Sequence, residues 1–351
     1  MSFNAKYSIT DKILNNLTLI ASAREIIEQS HLVPKWEAKL RRQALMRNTH
    51  SSTAIEGNKL TLEQVEALAG GKDVPATDKD KKEVLNYIEA MEKVPVFAKK
   101  GGIKSEDLLN IHKIITRNVL ENNANSGEFR DRQVFVGRQV FEGTGFKTEV
   151  EYTPPPTEEV PDLVEEFIDW LNLDKSWELN PVLVAGISHY EIARIHPFID
   201  GNGRTARLLA TVILYLSGFD HRRIFALDDY YDRDRKAYYG ALKTVQTADG
   251  DLTQWLEYFT NGVAASVQEA KEAILKLGTK GKRGVREQVS ITARQMQVVE
   301  YINTHGKVTN RDLQRLFNIS AQAVHKELSR LVEMKVIKPV GEGRSLHYVL
   351  I

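Results

Sequence analysis

The stretch His196-Pro197-Phe198-Ile199-Asp200-Gly201-Asn202-Gly203-Arg204-Thr205-Ala206-Arg207 gathers a base, an acid, two glycines around an amide, and two arginines. Upstream, Pro181 to Arg194 reads as a helix, with Asn180 as N-cap and Pro181 at the first helical position, where a missing N–H costs nothing. Downstream, Leu208, Leu209, Val212, Ile213 and Leu216 keep an apolar helical spacing until Gly218, so a second helix is expected from near Gly203. The stretch between them is then a loop feeding a helix N-terminus, where unpaired N–H groups and the positive end of the dipole attract anions. Gly201 and Gly203 let the backbone come close to a phosphate, although the spacing is neither Walker A nor Rossmann. Arg204 and Arg207, three apart in the first turn, can both reach polyphosphate oxygens, with Thr205 and Ala206 between them. Asp200 suits a magnesium ion that also touches those phosphates. His196, of ordinary pKa near 6.5, can take a proton from an incoming hydroxyl.

Taken whole, the string resembles the Fic family core motif, His-x-Phe-x-Asp/Glu-Gly-Asn-Gly-Arg-x-x-Arg, and matches every specified position. The resemblance implies a mainly α fold that moves AMP from ATP onto a protein Ser, Thr or Tyr hydroxyl. It casts His196 as general base, Asp200 as magnesium ligand, and Gly201, Asn202 and Gly203 as the anion hole. Arg204 and Arg207 would hold the phosphate tail, and Phe198 would fix the loop from the core. Phosphoryl chemistry of this kind depends on positioning and charge stabilisation, which agrees with the residues on their own terms.

Earlier in the chain, Ser51 to Asn58 reads as a short helix with Gly57 as its C-cap, followed by a Thr61-x-x-Gln64 capping box. Beside the core motif it gains a second meaning, because Ser52-x-x-x-Glu56-Gly57 resembles the inhibitory motif of Fic proteins. There the glutamate pairs with the second motif arginine, here Arg207, and a guanidinium held bidentate by a carboxylate cannot freely serve a phosphate. Glu56 is thus expected to act as an intramolecular brake on a helix spanning about residues 48–58.

The rest of the N-terminal region, to about residue 104, is expected to be helical: Asp11 to Ala21, Ala23 to Gln29, Trp36 to Arg47 with Lys39, Arg41 and Arg42 on a solvated face, Thr61 to Leu68, and Asp78 to Lys93. A core over residues 105–277 follows. Its Ser105 helix carries His112 beside an apolar face, as a packed histidine. Arg132 to Val136 and Lys147 to Thr153 read as strands of a hairpin spanning about 130–153, with glycines 137, 143 and 145 between them. In the Fic resemblance this is the flap, which borders the nucleotide and docks the target segment by strand addition; Val134, Phe135, Val136 and Gly137 fit its apolar-x-apolar-Gly pattern. Helical spacing returns from Thr157 to Leu171. Tyr238, Tyr239 and Gln246 stand where Fic members line the adenine pocket with a tyrosine pair and an Asn, here replaced by Gln246. A long helix then starts at Asp251-x-x-Gln254 and runs towards Leu277.

Residues 278–289 are rich in glycine and charge and read as a linker. Beyond it, helices from Ser290 or Ile291 to Thr304, Asn310 to Phe317, and Ala321 to Lys335 precede a hairpin of Val336 to Val340 and Leu346 to Leu350. Three helices and a hairpin make a winged helix over 290–351. That segment has nine Lys/Arg and five Asp/Glu, with Gln322, Lys326, Arg330 and Arg344 available to DNA.

Composition frames these readings. The chain has 351 residues, a net charge of +1 and no cysteine, so no global field argues for nucleic acid or membrane, and disulfides and thiolate metal sites are excluded. No apolar run of about 18 residues or signal-like N-terminus occurs. The expected protein is cytoplasmic, binds ATP with Mg2+, docks a target protein along the flap and has a homodimer among its plausible states. Two other readings remain open: a nucleotide-sensing, DNA-binding regulator, and Glu56-dependent removal of AMP from protein.

Overall fold

The computed structural model describes residues 3–30, 32–98, 102–142, 145–220, 222–281 and 291–351, without the side chains of 138–148, 278–281 and 344. Four helices open the chain: α1 (Asp11–Gln29), α2 (Pro34–Ile55), α3 (Leu62–Ala69) and α4 (Asp78–Glu92). A short turn α5 (Val94–Phe97) and helix α6 (Ser105–Thr116) lead to an antiparallel hairpin, β1 (Val136–Glu142) and β2 (Gly145–Tyr152). Then come α7 (Val160–Leu171), the single turn α8 (Asp174–Trp177), α9 (Pro181–Ile195), α10 (Asn202–Leu216), α11 (Leu227–Arg233), α12 (Arg235–Thr247) and α13 (Thr253–Gly281). The C-terminal unit is α14 (Ala293–His305), α15 (Asn310–Phe317), α16 (Ala321–Glu333) and the hairpin β3 (Ile337–Val340) with β4 (His347–Leu350).

One apolar core runs from α1 through α9 and α10 to α13. Ile13, Ile20 and Ile27 of α1 are buried with Trp255, Phe259 and Val263 of α13 in the same cluster. Asn16 crosses between the two helices to Thr260 Oγ1 at 3.0 Å. Gly186 of α9 lets α13 approach: a Cβ there would lie 2.9 Å from Leu256 and Phe259, and Trp255 Nε1 donates to its carbonyl at 2.8 Å. The central helix α9 starts as its sequence dictates, with the Asn180 side chain accepting from Val182 N and Pro181 in the first turn.

Several elements differ from their expected limits, for identifiable reasons. The two helices expected before residue 30 are one continuous α1. The segment expected as a separate inhibitory helix is the end of the 22-residue α2. Its polar residues Asn48, Thr49, Ser51 and Ser52 are buried, and Asn48 Nδ2 reaches the Phe225 carbonyl at 3.2 Å, so tertiary contacts overcome weak helix propensity. Arg41 and Arg42 do not lie on a solvated face. Arg41 pairs with Glu37 at 2.8 Å and Glu300 at 3.4 Å, and Arg42 donates to Thr304 Oγ1 at 2.7 Å, which fastens α14 to α2.

In the hairpin, Gly137 lies within β1 rather than in the turn, and the first strand begins at Val136 instead of Arg132. The preceding residues are committed elsewhere, as Gln133 Nε2 donates to the Pro154 carbonyl at 3.0 Å. A register shift sits between Val136 and Gly137, and a Cβ on Gly137 would come within 2.2 Å of the Glu149 carbonyl oxygen. Gly143 lies outside the described residues. So does the linker from residue 282 to 289, whereas 278–281 continue α13. Ser290 and the Arg344 side chain also lie outside them. The C-terminal unit packs around Val298, Val299, Leu313, Leu328 and Ile337, and Ala38 of α2 belongs to that cluster.

Candidate active site

The site forms where α9 ends and α10 begins. His196 caps α9 in the left-handed region, with φ 52°, and this turns the chain away from the helix axis. Non-glycine residues enter that region only when their surroundings hold them there, and Arg130 supplies the hold. Its backbone N donates to the Pro197 carbonyl at 2.8 Å and its Nε to the His196 carbonyl at 3.0 Å. The same guanidinium reaches Pro155 O at 2.6 Å and Thr157 Oγ1 at 2.7 Å, so the motif loop is tied to the base of the hairpin. Tyr152 adds a second tie from β2, donating to Arg194 O at 2.7 Å.

His196 Nδ1 lies 3.2 Å from the Ala193 carbonyl, which can only accept, so Nδ1 carries the proton and Nε2 keeps its lone pair. Burial lowers the imidazole pKa, partly opposed by that bond and by the Glu56 carboxylate. The ring is therefore neutral at physiological pH.

The loop is braced from beneath. Phe198 is fully buried and stacks on His112, with ring centroids 3.7 Å apart. His112 accepts from Gly127 N through Nδ1, and its Nε2 donates to the Asp200 carbonyl at 2.9 Å, so this histidine is structural as expected. The Asn202 side chain closes the loop by two bonds of 2.9 Å to the N and O of Phe198. Gly201 caps α10 with φ 81°, where a Cβ would meet Thr116 Cγ2 at 2.8 Å. Thr205 N bonds Gly201 O, so Asn202, Gly203 and Arg204 are the first-turn residues whose N–H groups lack intrahelical acceptors.

That helix end already faces an anion. Arg207 is buried, and its NH2 lies 2.8 Å from Glu56 Oε1. Ser52 binds the same guanidinium twice, through Oγ to Nε at 2.8 Å and through its carbonyl to NH2 at 2.9 Å. A Cβ on Gly203 would lie 2.3 Å from Glu56 Oε1, so the carboxylate rests directly against the first turn of α10. Burial works against the charge of Arg207, but Glu56, Tyr238 and Asp228 outweigh it and keep the guanidinium protonated. Gly57, with φ 97°, ends the turn that carries Glu56.

Arg204 is also buried, and Glu83 of α4 stands 3.4 Å from its NH1, while Asp200 is 3.5 Å from NH2. Glu83 is held in turn by Asn58 Nδ2 at 2.9 Å. Thr205 and Ala206 turn into the core and are fully buried. Asp200 is the exposed member, its side chain 47% accessible, with Oδ1 engaged by Gly201 N and Arg204.

The expected adenine residues divide. Tyr238 is buried and bonds His189 Nε2 at 2.8 Å, whereas Tyr239 is 45% exposed. Gln246 is exposed and lies seven residues after Tyr239, hence on the same face of α12. Phe135 is 58% exposed at the start of the hairpin, and Val134 and Val136 are half-buried beside it. Sequence reasoning missed Arg130, Glu83, Tyr152 and the Asp228–Tyr87 pair, joined at 2.8 Å behind Arg207. None has a local motif; each acts across more than twenty residues of chain.

A helical core with a hairpin beside a histidine loop, and unpaired N–H groups at the start of the following helix, agrees with the fold that the Fic resemblance implies. A profile of the Fic/DOC family matches residues 102–214, so this part of the chain is a Fic domain. It is 30% identical over 230 residues to protein adenylyltransferase Fic of Drosophila willistoni, covering 64% of this chain and 41% of that protein. Likewise it is 30% identical over 235 residues to protein adenylyltransferase fic-1 of Caenorhabditis elegans, covering 66% and 42%. The chain thus spans less than half the length of these curated relatives. A crystal structure of a Fic family protein from Desulfovibrio desulfuricans G20 aligns over 99% of this chain and 98% of its own, with TM-score 0.63 and 25% identity.

Proposed function

We propose that this chain is a braked protein adenylyltransferase, which transfers AMP from ATP to a Ser, Thr or Tyr hydroxyl of a target protein or of itself. The observation that carries the reading is the Glu56 carboxylate, bonded to Arg207 and resting against Gly203, where a nucleotide phosphate would otherwise sit. In the active arrangement Arg207 and the free N–H groups of α10 bind the phosphate tail, and His196 Nε2 receives the proton of the target hydroxyl. The hydroxyl oxygen bonds to the α-phosphorus, the α–β anhydride bond breaks, and pyrophosphate leaves. The solvated Asp200 carboxylate suits magnesium, which takes one or two carboxylates plus substrate phosphates rather than a protein cage. Among the described residues no group of three or more His, Cys, Asp or Glu forms such a cage. When bound, the ion supplies charge neutralisation of the phosphates, and Asp200 would hold it. The exposed Phe135 at the hairpin edge supports docking of an extended target segment by strand addition.

The test is mass spectrometry of wild type, Glu56→Gly and Glu56→Gly/His196→Ala after incubation with Mg-ATP and a cell lysate. The expected result is an adduct of one AMP, strongest in Glu56→Gly and at least ~10²-fold weaker without His196. No adduct in any sample with ATP bound would sink the transferase reading and favour the nucleotide-sensing regulator.

The C-terminal unit fits a winged helix whose third helix exposes Gln322, Lys326 and Arg330 on one side. Duplex DNA is its proposed partner. Binding should weaken as salt rises, and Lys326→Ala should reduce the slope of log affinity against log salt by about one if it meets a phosphate. Among the described residues no helix is long and apolar enough to cross a membrane.

A further inference from the structure

A cavity of about 110 Å3 lies away from the cradle, where α2, α10 and α14 meet. Arg41, Arg42, Leu45 and Asn48 line it from α2. Thr211 and Leu214 close it from α10, and Glu300 and Thr304 from α14. Arg223, in the turn after α10, completes the polar wall. A cavity of roughly 150 Å3 accommodates benzene, so this one suits a molecule of a few heavy atoms.

Its charges are unevenly satisfied. Arg41 gives its terminal nitrogens to Glu37 and Glu300, but its Nε is buried without an acceptor. Arg42 donates to Thr304 Oγ1 and Arg223 to the Met91 carbonyl, and among the described residues neither forms an ion pair. Three acids also line the space: Glu92, Asp220 and Glu300. Burial raises the pKa of each, that of Asp220 to about 7, so they are weaker counter-charges than three free carboxylates would be. A buried donor with no acceptor, beside two guanidiniums that close no ion pair with the acids around them, favours an oxygen-rich guest.

We propose that this cavity binds a small oxyanion, a phosphate or a carboxylate, and that its occupancy is felt at the Glu56–Arg207 pair. Two helices make the connection. Asn48 in the cavity wall, Ser52 and Glu56 follow one another at four-residue steps along α2. On α10, Thr211 in the wall donates through Oγ1 to the carbonyl of Arg207 at 3.2 Å. An anion that draws Arg42 and Arg223 together therefore shifts the two helices that carry the two halves of the brake. Because α14 supplies the third wall, the same anion reports how the C-terminal unit sits on the core.

The anion-binding part stands by itself, whereas the coupling rests on the braked-transferase reading. Inorganic phosphate and acetate are titrated separately into the full chain by calorimetry, with saturating ATP present to occupy the nucleotide site. Saturable binding of either anion is expected. Arg42→Ala should weaken it about tenfold or more, the loss of one charge-assisted contact. Arg223→Gln, which leaves the α2 to α14 contacts in place, should weaken it as well. No saturable binding of either anion, or binding untouched by both substitutions, overturns the site. Transfer of AMP is then followed against anion concentration in wild type and Glu56→Gly. A saturable change of rate confined to wild type supports the coupling, and an equal response in both overturns it. If no variant transfers AMP, the transferase reading and the coupling fail together, and the calorimetry still decides the site.

Discussion

The Glu56–Arg207 pair makes a graded prediction. Removing the carboxylate in Glu56→Gly leaves Arg207 with two Ser52 acceptors and space for a phosphate oxygen. A hydrogen bond between charged partners contributes about 1.5–3 kcal/mol, and each 1.4 kcal/mol corresponds to about tenfold in an equilibrium. Productive seating of the phosphate tail in wild type must first break that bond, so the variant should transfer AMP roughly 10–100-fold faster at subsaturating ATP. Glu56→Gln keeps the shape and a weaker acceptor without the charge, and should fall between the two. Ser52→Ala should raise the rate less than Glu56→Gly, because it loosens Arg207 while leaving the carboxylate against Gly203. The unliganded Glu56→Gly protein should also melt a few degrees lower than wild type, since a buried guanidinium loses its partner, and ATP should recover the difference. The assay is incorporation of radiolabelled AMP, with melting measured in parallel. Rates within twofold across the series would refute the reasoning, as would a ranking with Glu56→Gln above Glu56→Gly.

Substitutions at three further positions probe the scaffold of the site. Gly203→Ala places a methyl 2.3 Å from the Glu56 carboxylate and in the cradle itself, so transfer should stay low even when combined with Glu56→Gly; rates equal to Glu56→Gly alone would show that phosphate does not approach there. Arg130→Ala removes bonds to His196, Pro155 and Thr157, and should lower kcat more than it raises KM for ATP. Arg130→Lys should not restore it, because an ammonium cannot span those acceptors as a planar guanidinium does. His112 has its pKa lowered to about 4 by burial, from an ordinary 6.5. The unfolded chain therefore binds this proton more readily, and stability present above pH 6.5 is lost as pH falls towards 4, by up to about 3 kcal/mol. Melting temperature against pH should show a shallower acid limb in His112→Gln, and parallel limbs would remove the assignment.

The motif and its two flanking helices were legible because their determinants are local. Asn180 and Pro181 fix the start of α9, and the glycines at 201 and 203 mark where the backbone must turn and be approached. The C-terminal helices were equally readable, since Thr309 and Ser320 cap them within three residues. What could not be read is what depends on distant partners. The final turns of α2 are held by buried side chains that meet α10 and α11, so nothing in residues 48–55 alone announces one unbroken helix with Trp36 to Arg47. The hairpin was displaced for the same reason. Arg130 and Gln133 spend their hydrogen bonds on Pro154 and Pro155, and the ladder begins only at Val136. Arg41 and Arg42 have the composition of a solvated face, and only the neighbouring α14 turns them into a joint.

The position of Glu56 bears on how such a brake can work at all. The N-terminus of α10 attracts negative charge regardless of its source, because its unpaired N–H groups and its dipole do not distinguish a carboxylate from a phosphate. On the proposed reading, Glu56 and a nucleotide tail therefore compete for one site, with Arg207 contributing to whichever anion is present. On the proposed reading, autoinhibition requires no second conformation of the core, only a carboxylate that reaches the cradle from α2. The side chain of Glu56 is 27% exposed while that of Arg207 is 1% exposed. Water can thus solvate the displaced carboxylate, whereas the arginine has no solvated alternative and must remain at the cradle. The lower-cost movement is that of Glu56, or of the α2 end that carries it, and regulation of the site should act there and not on Arg207.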